Sequence, residues 1–340
     1  MSSAAESSDA LAQRLQRFIA GQLPADAGLA LSELRRTTGG YSRENWLFEA
    51  SWREDGARRE HALIMRRDPV GSVLETDRGV EFAVLRALES GPVPAPRALW
   101  VDPDGTALGR PSVVMQRYGG RNDHFALEGG LSQLPLERRV ALARCYCENL
   151  AALHRFDWRA ARLGQVLRDP GTRGAAAAVA EWRATLERQL VEPAPELELV
   201  LEWLEENAPE AQACVLVHGD WKPGNSLLRD GELEVMLDWE TVHLGDPLED
   251  LGWVTNPLRQ REHLIPGAWE RDDLIRHYEK ASGMRADPAA LHYWNVFANL
   301  KLNAILLTGV KSFCEGRSER PWVDDGMLAR LLFQQLGWTR

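Results

Sequence analysis

Residues 215–240 constrain the fold more tightly than any other stretch of the chain. They read Val-Leu-Val-His-Gly-Asp-Trp-Lys-Pro-Gly-Asn-Ser-Leu-Leu-Arg-Asp-Gly-Glu-Leu-Glu-Val-Met-Leu-Asp-Trp-Glu. The β-branched and apolar run Val215 to Val217 predicts a short buried strand. Pro223 and Gly224 break regular structure after it. Ser226 to Leu228 and Glu234 to Leu237 then flank Asp230-Gly231, and Asp-Gly between apolar runs is a strong short-range signal for a β-hairpin. A hairpin returns the chain on itself. Asn225, just before its first strand, is therefore carried close to Asp238, just after its second, while Asp220 sits in the loop feeding it.

An Asp, an Asn and a second Asp suit a hard cation such as Mg²⁺, which takes oxygen ligands and bridges substrate phosphates. Phosphoryl transfer needs the same set: a carboxylate to orient an attacking hydroxyl and receive its proton, and oxygen ligands to hold metal against the phosphates.

His218-Gly-Asp220-x-x-x-x-Asn225 followed by Asp238-Trp-Glu resembles the aminoglycoside phosphotransferase and choline kinase family, and most of all the kinase-like domains associated with acyl-CoA dehydrogenases, where Leu-Arg-Arg recurs. The resemblance implies an α+β, bilobal protein-kinase-like fold, with a small antiparallel sheet and one helix in a nucleotide-binding lobe at residues 1–117. A mainly helical lobe carrying the catalytic loop and acceptor pocket would fill residues 118–340. It implies ATP and Mg²⁺ as cofactors. Asp220 would be the catalytic base, Lys222 would neutralise charge on the transferred group, and Asn225 and Asp238 would hold the metal. His218, Asp246 and Asp250 would support them, Asp250 by accepting backbone N–H bonds from the catalytic loop.

The N-terminal half supplies the other expected parts. Leu11, Leu15, Phe18 and Ile19 recur at helical spacing, predicting a helix that ends near Gly21 and Pro24. Strands are expected at 31–36 and 46–52 around Gly39, Gly40 and Ser42, a turn whose backbone N–H groups would approach phosphates. His61 to Arg66 reads as a third strand, with Leu63 and Met65 on one face and Ala62, Ile64 and Arg66 on the other. Family register assigns Arg66, rather than its neighbour Arg67, to grip the phosphates where protein kinases use Lys. A helix over 76–88 would supply its partner carboxylate, Glu81, with Glu75 as the alternative. Strands at 98–101 and 112–116 lead to Gln116 and Tyr118, expected at the adenine-binding hinge near Val114 and Met115.

Beyond residue 132 the pattern turns helical. Helices are expected at 136–155, across 174–207 with a break at Pro193 and Pro195, and at 271–283, 287–310 and 325–337. Asp246 followed by Pro247 reads as an N-cap and first helical residue. His154 reads as a structural residue capping carbonyls at a helix end. Trp253, Trp269, Tyr293, Trp294 and Trp322 are candidates for an acceptor pocket, although such residues are more often core.

A formal net charge of −10 over 340 residues argues against non-specific nucleic-acid binding. The four cysteines, at 145, 147, 214 and 314, have neither zinc-site nor disulfide-framework spacing and are expected as reduced thiols of a cytoplasmic protein. No signal peptide is expected from residues 1–10, and no apolar run of about eighteen residues suggests a membrane span. Nothing calls for an obligate protein partner. The reading that follows is phosphorylation of a small-molecule hydroxyl, on a hydroxyacyl-CoA or another metabolite. Its alternatives are an aminoglycoside- or macrolide-type antibiotic kinase, a catalytically weak nucleotide-binding module on the same fold, and a metal-dependent hydrolase using His218, Asp220, Asp238 and His243.

Overall fold

The computed structural model describes residues 8–37, 44–68, 77–317 and 326–338. Gly39, Gly40, Ser42, Glu75 and Trp322, all singled out above, lie outside the described residues. The chain splits into two compact units, Met1–Ser90 with Pro94–Gly119, and Gly91–Val93 with Gly120–Arg340.

The first unit begins with α1 (Ser8–Ala20), followed by β1 (Ala30–Leu31), β2 (Arg35–Arg36), β3 (Glu44–Glu54), β4 (Ala57–Arg67), α2 (Arg78–Leu88), β5 (Ala98–Asp102) and β6 (Ser112–Gln116). Among the described residues these strands make one antiparallel sheet in the order β1-β3-β4-β6-β5, with β2 also on β3. Alternation along β4 buries Leu63 and Met65 against Leu11, Leu15 and Ile19 of α1 and Phe48 of β3. The single strand expected at 31–36 is instead two short pairings. Residues 32–34 leave the ladder, although Ser32 still donates its N–H to the Glu49 carbonyl. The helix expected from residue 76 starts at Arg78, because the Asp77 carboxylate caps it by accepting from the N–H groups of Gly79 (2.7 Å) and Val80 (3.2 Å).

The second unit contains α3 (Leu136–His154), α4 (Gly174–Gln189), α5 (Pro195–Glu206), β7 (Val215–Val217), β8 (Ser226–Arg229), β9 (Glu232–Met236), β10 (His243–Gly245), α6 (Pro247–Val254), α7 (Gln260–His263), α8 (Arg271–Ser282), α9 (Pro288–Cys314) and α10 (Met327–Gln335). The β8–β9 hairpin turns at Asp230 and Gly231, both at positive φ (54° and 78°), the geometry Asp-Gly supports at lowest cost. A second two-stranded pairing, β7 with β10, sets Val217 opposite His243. The sequence reading contained no β10. Three residues stabilised only by a distant partner carry no periodic signal of their own.

Four of the aromatic residues considered for a pocket resolve as core. Trp253, Trp269, Tyr293 and Trp294 are all buried. The cysteines are free thiols, and among the described residues no helix is long and apolar enough to cross a membrane.

Candidate active site

The site in the second unit is assembled by the hairpin. Ser226 pairs with Met236 at the open end of the β8–β9 ladder, and the Leu237 N–H continues it by donating to the Asn225 carbonyl at 2.7 Å. Asn225 therefore lies across from the residue next to Asp238. Asp238 itself turns the chain through left-handed space (φ 57°, ψ 57°), a conformation Asp tolerates better than most side chains. Asn225 sits in a one-turn 3₁₀ segment, Pro223–Asn225, and its amide nitrogen donates to Asp220 twice: to the carboxylate Oδ2 at 2.7 Å and to the main-chain carbonyl at 3.0 Å. Lys222 Nζ donates to the same Oδ2 at 2.7 Å.

Asp220 is thus held by one oxygen. Its other oxygen, Oδ1, is buried and without a hydrogen-bond partner. A buried carboxylate oxygen without a partner is a place where a donor belongs. The Asn225 amide has committed its nitrogen and retains its oxygen as an acceptor, so the donor set left at the hairpin mouth is made of oxygens, as a hard divalent cation requires.

The loop is fixed from behind. Asp250, on α6, accepts from the His218 N–H at 2.7 Å and the Gly219 N–H at 2.8 Å, and its Oδ2 also pairs with His154 Nε2 at 3.2 Å. His154 Nδ1 meets the Tyr278 hydroxyl at 2.6 Å. The cap assigned to His154 from sequence is therefore corrected: its ring is buried between a carboxylate and a phenol. Burial pushes the Asp250 carboxyl up, but the His154 hydrogen bond and charge, with help from His218, hold it down at about 2.

His218 is buried between Trp221 and Trp239, with ring centroids 5.4 and 4.8 Å away. Burial lowers its pKa, so the ring is neutral. Its tautomer follows from its partners: Nδ1 accepts from the Asp220 N–H at 3.2 Å, so Nε2 carries the proton and donates to the Leu237 carbonyl at 2.9 Å. His243 is equally committed, with Nδ1 on the Thr241 carbonyl and Nε2 on Glu249. Both imidazoles named in the hydrolase alternative have their nitrogens in use. Asp246 caps α6 through the Leu248 N–H at 2.8 Å and accepts from Trp294 Nε1 at 3.2 Å.

The His243–Glu249 pair (3.0 Å) predicts a pH effect. Burial lowers the imidazole pKa, but the neighbouring Glu249 overrides it and raises it to about 9, with Lys301 opposing. A raised folded-state pKa stabilises below the unfolded value, about 6.5, and that contribution disappears as pH climbs through about 9. Denaturation midpoints should fall across that window, and the His243→Asn variant should flatten the decline. The ring keeps 32% of its surface, so solvent screening limits the size of the effect.

In the first unit, Arg66 Nη1 lies 3.8 Å from Glu81 Oε1. Arg67, on the opposite face of β4, donates instead to the Leu108 carbonyl at 2.9 Å. A residue the sequence reading missed completes the cluster. Arg78 is buried, pairs with Glu81, and reaches Asp68 Oδ1 at 2.7 Å. Glu81 is thereby anchored by one arginine while facing the other. At the end of β6, Gln116 is exposed, and the Tyr118 hydroxyl accepts from the Arg97 N–H at 3.2 Å.

His124 and Asn122 were also missed. Asn122 donates to the carbonyls of Gly224 and Ser226, and a Cβ on Gly224 would collide with the His124 ring. A side chain at 224 would have to displace the exposed His124 ring, a contact spread over a hundred residues of sequence.

The chain thus carries an antiparallel sheet unit with a buried Arg–Glu pair and a helical unit with a braced Asp-and-Asn loop. A family model described as the phosphotransferase enzyme family (APH) matches residues 33–292, and the chain belongs to that family. The fold agrees. A Ralstonia eutropha structure described as a candidate aminoglycoside phosphotransferase superposes with a TM-score of 0.73 at 19% identity, covering 97% of this chain and 99% of that one. The macrolide 2′-phosphotransferase of Brachybacterium faecium gives 0.53 at 22% identity, covering 96% and 98%. An aminoglycoside 2″-phosphotransferase solved with streptomycin and ATP gives 0.57 at 16% identity, covering 87% and 89%. Among curated relatives, acyl-CoA dehydrogenase family member 11 of Homo sapiens is 31% identical over 265 residues, which is 73% of this chain and 32% of that protein. Family member 10 of Mus musculus is 28% identical over 200 residues, 57% of this chain and 18% of that protein. The matched region thus spans a third or less of the length of these curated relatives.

Proposed function

We propose that the chain transfers the terminal phosphoryl group of ATP to a hydroxyl group of a small molecule, with Mg²⁺. The observation that carries this reading is the Asp220 carboxylate, pinned at Oδ2 by Lys222 and Asn225 and left at Oδ1 with a buried, unpartnered acceptor. Oδ1 orients the acceptor hydroxyl and takes its proton as the hydroxyl oxygen bonds to phosphorus and the bond to the ADP oxygen breaks. The products are a phosphate monoester and ADP. Lys222, donating to Oδ2 at 2.7 Å, stands beside the charge that develops on the transferred group. Asn225 and Asp238 would hold Mg²⁺, which when bound neutralises charge on the nucleotide phosphates.

Residues 1–117 serve the nucleotide in this reading. Arg66, oriented by Glu81, grips phosphate, and the backbone around Gln116 and Tyr118 takes the adenine edge. Residues 118–340 serve the acceptor, with Asp246, Asp250 and His218 supporting the loop. The similarity to segments of acyl-CoA dehydrogenase family members supports a hydroxyacyl thioester or related metabolite over an antibiotic. ADP release should be screened over a panel of hydroxyacyl thioesters, hydroxy acids, sugars, choline-like amines, aminoglycosides and macrolides. Hydroxyacyl thioesters are expected to give the highest rate, and preferential use of aminoglycosides would reverse the substrate assignment. Asp238→Ala should abolish the Mg²⁺-dependent part of nucleotide-induced thermal stabilisation. An unchanged thermal shift in that variant would remove Asp238 from the metal site.

A further inference from the structure

A lysine far from the motif residues reaches the catalytic loop. Lys301, on α9, is 3% exposed, and its ammonium donates to the Gly219 carbonyl at 2.5 Å. Three other groups surround that ammonium: the Trp182 ring at 5.3 Å, the Trp253 ring at 5.2 Å, and Glu249 Oε1 at 3.9 Å. Glu249 and Trp253 stand one turn apart on α6, and Trp182 comes from α4, so three helices converge on one cation. Aromatic faces and a carboxylate offset the desolvation of a buried ammonium. A buried lysine without such partners would be strongly disfavoured.

The carbonyl it holds belongs to the peptide unit whose N–H is that of Asp220. His218 Nδ1 accepts from that N–H at 3.2 Å. The peptide plane joining Gly219 to Asp220 is therefore gripped at both ends, its oxygen by Lys301 and its nitrogen by His218, while Asp250 holds the two N–H groups that precede it. Gly219 is the residue where this plane would otherwise rotate. It sits at φ +83°, and a Cβ there would come within 2.9 Å of Thr241 Oγ1 and 3.3 Å of Lys301 Nζ. Glycine leaves room for the clamp and also leaves the backbone soft, so the plane depends on external holders.

We propose that Lys301 is a positioning residue for Asp220: it fixes the Gly219–Asp220 peptide plane and so sets where the Asp220 carboxylate points. Its rate readout rests on the phosphotransfer reading above, and its spectroscopic readout does not. A small misplacement of a reacting group can cost roughly 10²-fold in rate. Lys301→Met keeps the length and apolar stem and removes the ammonium, while Glu249 keeps His243 as a partner. In this variant kcat should fall roughly 10- to 100-fold with KM for the nucleotide within about twofold of the parent. In an Asp220→Asn background the same substitution should change the residual rate by less than about twofold, because a positioning residue has nothing left to position. Independently, the ¹⁵N resonance of the Asp220 amide, which shares the peptide with the Gly219 carbonyl, should move in Lys301→Met while nucleotide-induced thermal stabilisation is preserved. If Lys301→Met folds poorly, Glu249→Gln/Lys301→Met compared with Glu249→Gln carries the same test. An unmoved Asp220 amide, or rate losses from Lys301→Met and Asp220→Asn that multiply, would overturn the proposal. A moved amide in a protein that phosphorylates nothing would retain the positioning role and discard the phosphotransfer reading.

Discussion

Asp220→Asn is expected to lower turnover by roughly 10²- to 10⁴-fold, the contribution of one well-placed general base. The change is nearly isosteric. The amide oxygen can still accept from Lys222 and Asn225, both at 2.7 Å from Oδ2 in the parent. The amide nitrogen then occupies the position of Oδ1, which has no partner to lose. Two things vanish, the negative charge, which in the parent also pairs Lys222, and the proton-accepting oxygen, which serves when a hydroxyl attacks. Folding should survive, with a melting temperature within a few degrees of the parent, and nucleotide-induced thermal stabilisation should persist. The check is steady-state ADP release beside thermal denaturation of the same preparation. A rate within about threefold of the parent would show that the proton leaves by another route.

The second large effect falls on stability. Asp250→Ala removes the acceptor of two backbone N–H groups and of the His154 ring, all buried. Each orphaned buried donor costs about 1–3 kcal/mol, and bonds to a charged acceptor lie at the upper end. A loss of about 3–5 kcal/mol is expected, in line with breaking a buried charged cluster from one side. That is a large share of the roughly 5–15 kcal/mol holding an ordinary domain. The same residue has an acid signature. A carboxyl held at about 2 in the fold and near 3.8 without its partners contributes stability that is complete above the higher value and is lost as pH falls through the lower. Parent stability should therefore decline between about pH 4 and pH 2, and the Ala variant should start lower and decline less steeply. Urea titrations at several pH values measure both. Equal midpoints and equal acid slopes would contradict the bracing role.

Much of this was legible in the sequence because the signals were local. Asp230-Gly231 demanded positive φ and so announced the hairpin. The hairpin in turn brought Asn225 up to Asp238. Leu11, Leu15 and Ile19 showed the buried face of α1 through spacing alone, and Pro193 and Pro195 marked the break between α4 and α5. Illegible features share a different origin. β10 exists because β7 lies beside it. Arg78 reads as an ordinary helix-start residue until Asp68 and Glu81 close on it. His154 sits at the end of a helix and so invited a capping role, yet its ring is spent on Asp250 and Tyr278. Lys301, in the middle of a long apolar helix, gives no hint that its ammonium reaches a loop some eighty residues earlier. In each case a partner distant in sequence decides the role, and pattern reading has no access to it.

The central claim is that the Asp220 carboxylate drives phosphoryl transfer to a hydroxyl. Phosphorus NMR of the parent protein, incubated with ATP, Mg²⁺ and the best compound from the panel, tests it most directly. The account predicts a phosphate-monoester resonance growing in step with ADP, and growing roughly 10²- to 10⁴-fold more slowly with Asp220→Asn. ADP accumulating only with inorganic phosphate, or a monoester forming equally well in that variant, would contradict it.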